Sequence, residues 1–174
     1  MCCKKNRGEV ARGSAWALVT GAAVGIGREY AERLAELGYN LYLVDIRKEI
    51  IEESRAIERH HRIKCVPKVL DLSEVGAARR LHATTTDEGY EFDVVVNNAG
   101  IFSFCDILNT PLERIEHLLQ LHDVTLTTMC RLYGEDMVKR GKGRLLNMSS
   151  YSIWMPFPGL ALYSASKAYV KGFS

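Results

Sequence analysis

A glycine-rich turn between an apolar run and a helical pattern constrains the fold most. The run Ala15–Thr20 is apolar, and it is followed by three spaced glycines, Gly21, Gly25 and Gly27. Ile26–Leu37 then has apolar residues three and four positions apart, which predicts a helix. Leu41–Asp45 predicts a buried strand that ends in an acid. Strand, glycine turn, helix, strand and acid form a βαβ unit of the nucleotide-binding kind.

Each part of this unit has a physical reason. Residues without a Cβ let the backbone approach a pyrophosphate closely. The start of the following helix offers free N–H groups and the positive end of the helix dipole to the phosphates. A carboxylate at Asp45 accepts hydrogen bonds from both hydroxyls of an adenine ribose. The alternative at this point is a glycine-rich turn in some other α/β protein.

The remaining chain continues the alternation of strands and helices. Three more apolar runs predict strands, at Ile63–Leu70, Phe92–Val96 and Arg144–Met148. Helices are predicted between them and after the last one, at Glu49–His61, from Thr110 and Pro111 to Lys139, and from Tyr163 onward. Ser73 is expected to cap a further helix whose limits the pattern leaves open. Fold class is therefore α/β, a Rossmann-type doubly wound parallel sheet flanked by helices.

Composition narrows the class of protein. A chain of 174 residues with a net charge of +2 gives no reason to expect a nucleic-acid or membrane partner. No apolar run approaches the ~18 residues of a membrane span. Five scattered cysteines without a C-x-x-C pair favour a reduced, cytoplasmic protein without a metal site. We expect residues 1–14 to form a disordered basic tail and residues 15–174 to form one nucleotide-binding Rossmann domain that is incomplete at its C-terminal end.

A phenol, an ammonium and a hydroxyl come close together late in the chain. Tyr163 and Lys167 are four residues apart, so their side chains leave the same face of a helix. Ser150 ends the last predicted strand. In this combination the ammonium favours the phenolate, the phenol exchanges a proton, and the hydroxyl holds a substrate oxygen.

Together these segments resemble the short-chain dehydrogenase/reductase family, in its TGxxxGIG branch. The resemblance extends from Ala15 to the end of the chain. Five segments match in order and spacing: Thr20–Gly27, Asp45, Asp71-Leu72, Asn97–Gly100, and Ser150 with Tyr163–Lys167.

The resemblance implies a cofactor role for nine positions between Gly21 and Gly100. The pyrophosphate would be lined by Gly21, Gly25, Ile26 and Gly27. The adenosine would be held by Asp45, Asp71 and Leu72, and the cofactor would be flanked by Asn98 and Gly100.

The resemblance also implies the catalytic roles. Tyr163 would be the general acid or base, and Lys167 would bind the nicotinamide ribose and keep the phenol ready to ionise. Ser150 would hydrogen-bond the substrate oxygen. The expected reaction is hydride transfer between NAD(H) and a secondary alcohol or ketone. The alternative is a catalytically incomplete NAD(H)-binding module or partner subunit. An epimerase or dehydratase is disfavoured by the TGxxxGIG spacing.

Charge decides the expected cofactor. The carboxylate of Asp45 would repel a ribose 2′-phosphate, and the glycine turn brings no cation to neutralise one. Arg47 is a nearby cation, so NADP(H) stays possible while NAD(H) is favoured.

Two departures from the family pattern matter. The family places an asparagine in the helix before the fifth strand, where it binds a water that relays protons. In this sequence His122 occupies that position. In one interpretation His122 holds the same water or relays protons itself, which would add a group that titrates near neutrality. In the other, His122 only makes a structural hydrogen bond. The chain also stops soon after Lys167, so we expect the family's last strands and substrate lobe to be missing from it, which would make it either a fragment or a degenerate member of the family.

The sequence says less about the substrate and about the oligomeric state. Aromatic and apolar residues lie where the family lines its substrate pocket: Phe102, Phe104, Tyr151, Trp154, Met155, Phe157 and Pro158. They indicate a bulky apolar substrate, such as a steroid, bile acid or acyl chain, or else they pack the loop against the missing lobe. By resemblance, a homo-oligomer is expected, with contacts from Leu112–Lys139 and the helix after Tyr163.

Overall fold

The computed structural model describes residues 13–104, 106–155 and 157–174. Most of the predicted tail therefore lies outside the described residues. Gly13 is described, and its N–H donates to the carbonyl of Gly38 at 2.8 Å. The amide of Asn40 donates to the carbonyl of Gly13 at 3.0 Å. Within the described residues, the chain is therefore hydrogen-bonded to the domain from its first residue, Gly13, onward.

Five parallel strands form one sheet, which confirms the predicted fold class. The strands are β1 (Trp16–Thr20), β2 (Asn40–Asp45), β3 (Cys65–Val69), β4 (Phe92–Asn97) and β5 (Arg144–Asn147). Their order across the sheet is β3-β2-β1-β4-β5, with every neighbouring pair parallel. Strand order reverses between β1 and β4, and the crevice at such a point is where ligands bind in open α/β sheets.

Helices cover both faces of the sheet. They are α1 (Gly25–Glu36), α2 (Ile50–His61), α3 (Ala77–Asp87), α4 (Leu112–Leu119), α5 (Leu126–Arg140) and α6 (Ala161–Phe173). Because side chains alternate along a strand, Val19 packs with α1 and α2, while Leu18 packs with α3 and α5. All six residues of β2 are buried. Each apolar side chain so buried contributes about 1.5–3 kcal/mol.

The predicted long helix after Pro111 is interrupted. A π-helical turn, Gln120–Thr125, separates α4 from α5 and places His122 in the interior. Helix α4 has no side-chain cap, and the hydroxyl of the nearby Thr110 donates to the carbonyl of Asp106 at 2.7 Å. Ser73 does not cap α3 as expected, because α3 begins at Ala77 with Gly76 as its N-cap. The Ser73 hydroxyl donates to Asp71 Oδ1 at 2.6 Å.

Strand β5 is the edge of the sheet at this side of the described chain. Its first two residues, Arg144 and Leu145, are exposed. Close by on α6, the rings of Tyr169 and Phe173 stack with centroids 5.9 Å apart, and both are exposed. None of the described helices is both long enough and apolar enough to cross a membrane.

Candidate functional site

The glycine turn is packed too tightly for side chains. Gly21 has φ +64°, and a Cβ there would lie 2.9 Å from the Cα of Ala99. A Cβ on Gly27 would lie 2.0 Å from the carbonyl oxygen of Gly21. The turn between β1 and α1 therefore requires glycine at both positions, as the sequence predicts.

The start of α1 has the properties of an anion site. Val24 precedes the helix without a side-chain cap, and the first turn carries no acidic residue. Gly25 has φ +59°, and a Cβ there would meet no atom within 4 Å. An uncapped helix start next to open space suits a pyrophosphate.

A cleft of about 560 Å³ lies over the carboxyl ends of the strands. Seven predicted cofactor residues line it: Gly21, Ile26, Asp45, Asp71, Leu72, Asn98 and Gly100. Gly25 and Gly27 are not among its lining residues, and Gly27 instead allows the turn to close. The lining also includes residues without a predicted cofactor role, among them Arg47, Ser73 and Phe102.

The carboxylate of Asp45 is 7% exposed and held by two backbone N–H groups. Its Oδ2 accepts from Ala23 N at 2.8 Å, and its Oδ1 accepts from Arg47 N at 2.9 Å. Each carboxylate oxygen has a further lone pair, so both can still accept from ribose hydroxyls. The charge that the sequence argument requires is therefore fixed in the cleft.

Asn98 braces the cleft instead of pointing freely into it. Its side-chain amide donates to the carbonyls of Thr20 at 3.0 Å and Gly21 at 3.1 Å. The hydroxyl of Thr20 accepts from the backbone N–H groups of Asn98 and Ala99, each at 3.0 Å. Sequence reasoning assigned no role to Thr20, although it belongs to the glycine motif.

Asp71 and Leu72, which are predicted to hold the adenosine, both line the cleft. Asp71 Oδ1 accepts from the backbone N–H of Ser73 at 2.8 Å as well as from its hydroxyl. Leu72 is buried, and its carbonyl accepts from Thr125 Oγ1 at 2.8 Å. This last bond ties the cleft to the π-helical turn.

Tyr163 and Lys167 lie together on α6, as the four-residue spacing predicts. Lys167 Nζ is 5.9 Å from the centroid of the Tyr163 ring and donates to the carbonyl of Met148 at 2.9 Å. Lys167 is 5% exposed. Burial lowers the pKa of its ammonium below the ordinary value, and the negative charge of Asp123 partly opposes that effect. Phe102, at the border of the cleft, packs edge-on against Tyr163 with centroids 5.2 Å apart.

Ser150 begins a short 3-10 turn after β5. Its Oγ accepts from the backbone N–H of Ser152 at 3.1 Å, so its hydroxyl hydrogen can still donate. The neighbouring Ser149 donates to the carbonyl of Lys167 at 2.8 Å, which fastens this segment to α6. Lys171 Nζ lies 3.6 Å from the ring centroid of Trp154 and fastens the far end of the turn.

His122 is 1% exposed, and both ring nitrogens are bonded within the protein. Nε2 accepts from Ile101 N at 2.9 Å, and Nδ1 lies 2.8 Å from Ser166 Oγ. Burial, with the positive charge of Lys167, lowers the pKa of His122 to about 4. The burial and the two bonds favour the structural alternative for His122 over titration near neutrality, because the interior disfavours the imidazolium.

Asp123 follows His122 in the π-helical turn and was missed by sequence reasoning. Its Oδ1 is buried and has no hydrogen-bond partner among the described residues. Burial raises the pKa of the Asp123 carboxyl, and the charge of Lys167 opposes this. A carboxylate near Lys167 leaves no mark in the sequence beyond its position next to His122.

The predicted substrate side is apolar and open. Five aromatic residues are more than half exposed beside the site: Phe102, Phe104, Tyr151, Trp154 and Phe157. The ring of Phe104 would lie 3.1 Å from a Cβ on Gly159, so this loop covers the turn before α6.

A doubly wound parallel sheet with a glycine turn after its first strand defines the Rossmann class of dinucleotide-binding folds. The chain matches the short chain dehydrogenase family over residues 15–174. This chain belongs to the short-chain dehydrogenase family.

Individual relatives agree with that membership. The very-long-chain 3-oxoacyl-CoA reductase-B of Danio rerio is 36% identical over 164 residues, covering 91% of this chain and 52% of that protein. The bulky-bulky ketone specific alcohol dehydrogenase from Comamonas testosteroni has a TM-score of 0.86 at 25% identity, covering 92% of this chain and 65% of that chain. A short-chain dehydrogenase from Sphingobium yanoikuyae in complex with NADPH has a TM-score of 0.85 at 26% identity. The match covers 91% of this chain and 63% of that chain. This chain thus spans about half the length of the Danio rerio relative.

Proposed function

We propose that this chain is the cofactor-binding and catalytic part of an oxidoreductase that transfers hydride between NAD(H) and a secondary alcohol or ketone. The position of Gly100 carries the proposal. Gly100 lines the cleft, and a Cβ there would lie 3.1 Å from His122 Nε2 and 3.4 Å from Lys167 Nζ. The predicted cofactor cleft and the predicted catalytic helix therefore meet at one residue. NADH binding followed by ketone reduction is the test.

Three side chains contribute to proton transfer and hydrogen bonding at the substrate oxygen. Tyr163 gives its phenolic proton to the carbonyl oxygen in reduction and takes it back in oxidation. The positive charge of Lys167 stabilises the phenolate that forms. Ser150 donates its free hydroxyl hydrogen to the same substrate oxygen.

The cleft residues fit a dinucleotide. The bound nicotinamide would supply or accept the hydride. Lys167 uses one donor on Met148 and retains two for the ribose next to the nicotinamide. Asp45 would accept from the adenine ribose, and the uncapped start of α1 would hold the pyrophosphate.

The preference for NAD(H) follows from the fixed charge of Asp45. A 2′-phosphate in this cleft would meet a carboxylate, although the exposed side chain of Arg47 lines the same cleft. The Sphingobium yanoikuyae relative binds NADPH. The family fold therefore admits either nucleotide, and the local charge selects between them.

Replacement of Asp45 tests that preference. Asp45→Asn removes the charge, and we expect the ratio of NADPH to NADH dissociation constants to fall about tenfold, corresponding to about 1.4 kcal/mol. Fluorescence titration with both nucleotides measures the ratio. Asp71→Asn is the matched control, because Asp71 lines the same cleft but is bonded to Ser73. An equal fall in both variants, or none in Asp45→Asn, contradicts the charge argument.

The substrate we propose is bulky and apolar, such as a steroid, bile acid or acyl chain. The exposed aromatic residues beside the site support this, as do the names of the Danio rerio and Comamonas testosteroni relatives. Packing of those aromatic residues against a further part of the protein is the competing explanation.

We further propose a homo-oligomer and a cytoplasmic location. Apolar residues on the helices expected to make subunit contacts are exposed, including Val124, Val138 and Tyr169. Cys65 and Cys130 are free thiols.

The rival function is an NAD(H)-binding module without catalysis, which would bind the nucleotide but oxidise no NADH with any ketone.

A further inference from the structure

The hydrogen bonds around His122 fix which ring nitrogen carries the proton. Because Nε2 accepts from the N–H of Ile101, the proton of the neutral ring is on Nδ1. Nδ1–H therefore donates to Ser166 Oγ at 2.8 Å. Ser166 in turn donates to the carbonyl of Tyr163 at 2.8 Å. All three bonds run in one direction, from Ile101 to Tyr163.

This chain of bonds connects the two halves of the site. Ile101 belongs to the loop after β4 that borders the cleft, and Tyr163 lies in the first turn of α6. The π-helical turn between α4 and α5 delivers the imidazole between them. The ring of His122 also packs edge-on against that of Tyr163, with centroids 5.8 Å apart. A π-turn is often found at functional positions.

We propose that His122 is a positioning residue that, as the neutral Nδ1–H tautomer, joins the loop at Ile101 to α6 through Ser166 and sets the position of Tyr163 at the cofactor cleft. The proposal rests on the proposed function for its catalytic consequence, whereas the tautomer and its bonds do not depend on activity.

A proton relay through His122 does not fit these contacts. Both nitrogens are used by protein groups, so neither is left for a relay water. The charged group that acts on His122 is Lys167, which in turn interacts with Asp123, and the phenol of Tyr163 lies alongside the ring. Lys167 opposes a second proton on the ring, and burial opposes it further. The folded state therefore disfavours the protonated ring, because the pKa of His122 is about 4 in the folded protein and has its ordinary value in the unfolded chain.

Nitrogen NMR of histidine-labelled protein tests the tautomer directly. The sequence has five histidines, and the signals of His122 are those that disappear in His122→Asn. We expect one protonated and one unprotonated ring nitrogen, Nδ1 carrying the proton, with no titration between pH 8 and pH 5. Ser166→Ala should shift the Nδ1 signal. An Nε2–H tautomer, or a midpoint near pH 6–7, overturns the proposal whether or not the protein is active.

Kinetics test the positioning. His122→Leu loses both bonds, and we expect kcat to fall about 100-fold, as for a misplacement of about 1 Å. His122→Asn keeps a donor towards Ser166 and His122→Gln keeps an acceptor towards Ile101, so each should recover part of the loss. The limbs of the pH–kcat profile should stay where they are in the wild type. Loss of an acidic limb in His122→Asn indicates a relay and overturns the proposal.

Two serine variants separate positioning from a general defect of α6. Ser166→Ala breaks the connection, and we expect about a tenfold loss of kcat with little change in NADH affinity, because both hydrogen bonds of the Ser166 hydroxyl are lost. Ser164→Ala is the matched control, because Ser164 Oγ has no hydrogen-bond partner among the described residues. Equal kcat in Ser166→Ala and wild type overturns the proposal. If no variant and no wild-type protein turns over substrate, the proposed function fails while the NMR result still decides the tautomer.

Discussion

Tyr163→Phe is expected to lower kcat by about 1,000-fold, because it removes the only proposed proton donor to the substrate oxygen. NADH affinity should change little, since the phenol does not line the cleft and the ring remains against Phe102. Stopped-flow measurement of NADH oxidation, together with an NADH titration, separates the two effects.

Tyr169→Phe is the control for that variant. Tyr169 lies on the same helix, but its hydroxyl is paired with Thr127 at 2.7 Å on the exposed side. We expect turnover close to that of the wild type. Turnover by Tyr163→Phe within tenfold of the wild type would show that another group transfers the proton.

Gly27→Ala is expected to abolish the cofactor site. The added Cβ would lie 2.0 Å from the carbonyl oxygen of Gly21, so the turn that approaches the pyrophosphate must move. We expect NADH affinity to fall at least about 100-fold and the free energy of unfolding to fall by about 3 kcal/mol. Calorimetric titration and denaturant unfolding measure the two quantities.

Gly172→Ala is the matched control, because it is also a glycine in a helix but a Cβ there meets no atom within 4 Å. That change should leave NADH affinity unaltered and cost no stability, since alanine is the better helix former by about 1 kcal/mol. Unaltered NADH affinity in Gly27→Ala would mean that the cofactor does not approach this turn.

The fold was predictable because the sheet follows from local patterns. Apolar strands such as Leu41–Asp45 are buried in full, and the glycines at Gly21 and Gly27 sit where only glycine fits. The Tyr163–Lys167 pair was also predictable, because the spacing of a helix places both side chains on one face.

What was missed depends on tertiary contacts. The π-helical turn at Gln120–Thr125 has an ordinary helical pattern in sequence, and it appears only once His122 bonds Ile101 and Ser166. Burial then removes the titration that an exposed histidine would show. The helix expected to begin at Ser73 begins instead at Ala77, with Gly76 as its N-cap. For His122, side-chain and backbone partners distant in sequence, not propensity, decided the outcome.

The central claim is that the cleft over the strand ends binds NAD(H) in preference to NADP(H). Fluorescence titration of the purified protein, first with NADH and then with NADPH, measures this most directly. The charge of Asp45 predicts saturable binding of NADH. It also predicts that any binding of NADPH is weaker by about tenfold or more. Tighter binding of NADPH would contradict the role of Asp45, and binding of neither nucleotide by folded protein would contradict the nucleotide site itself.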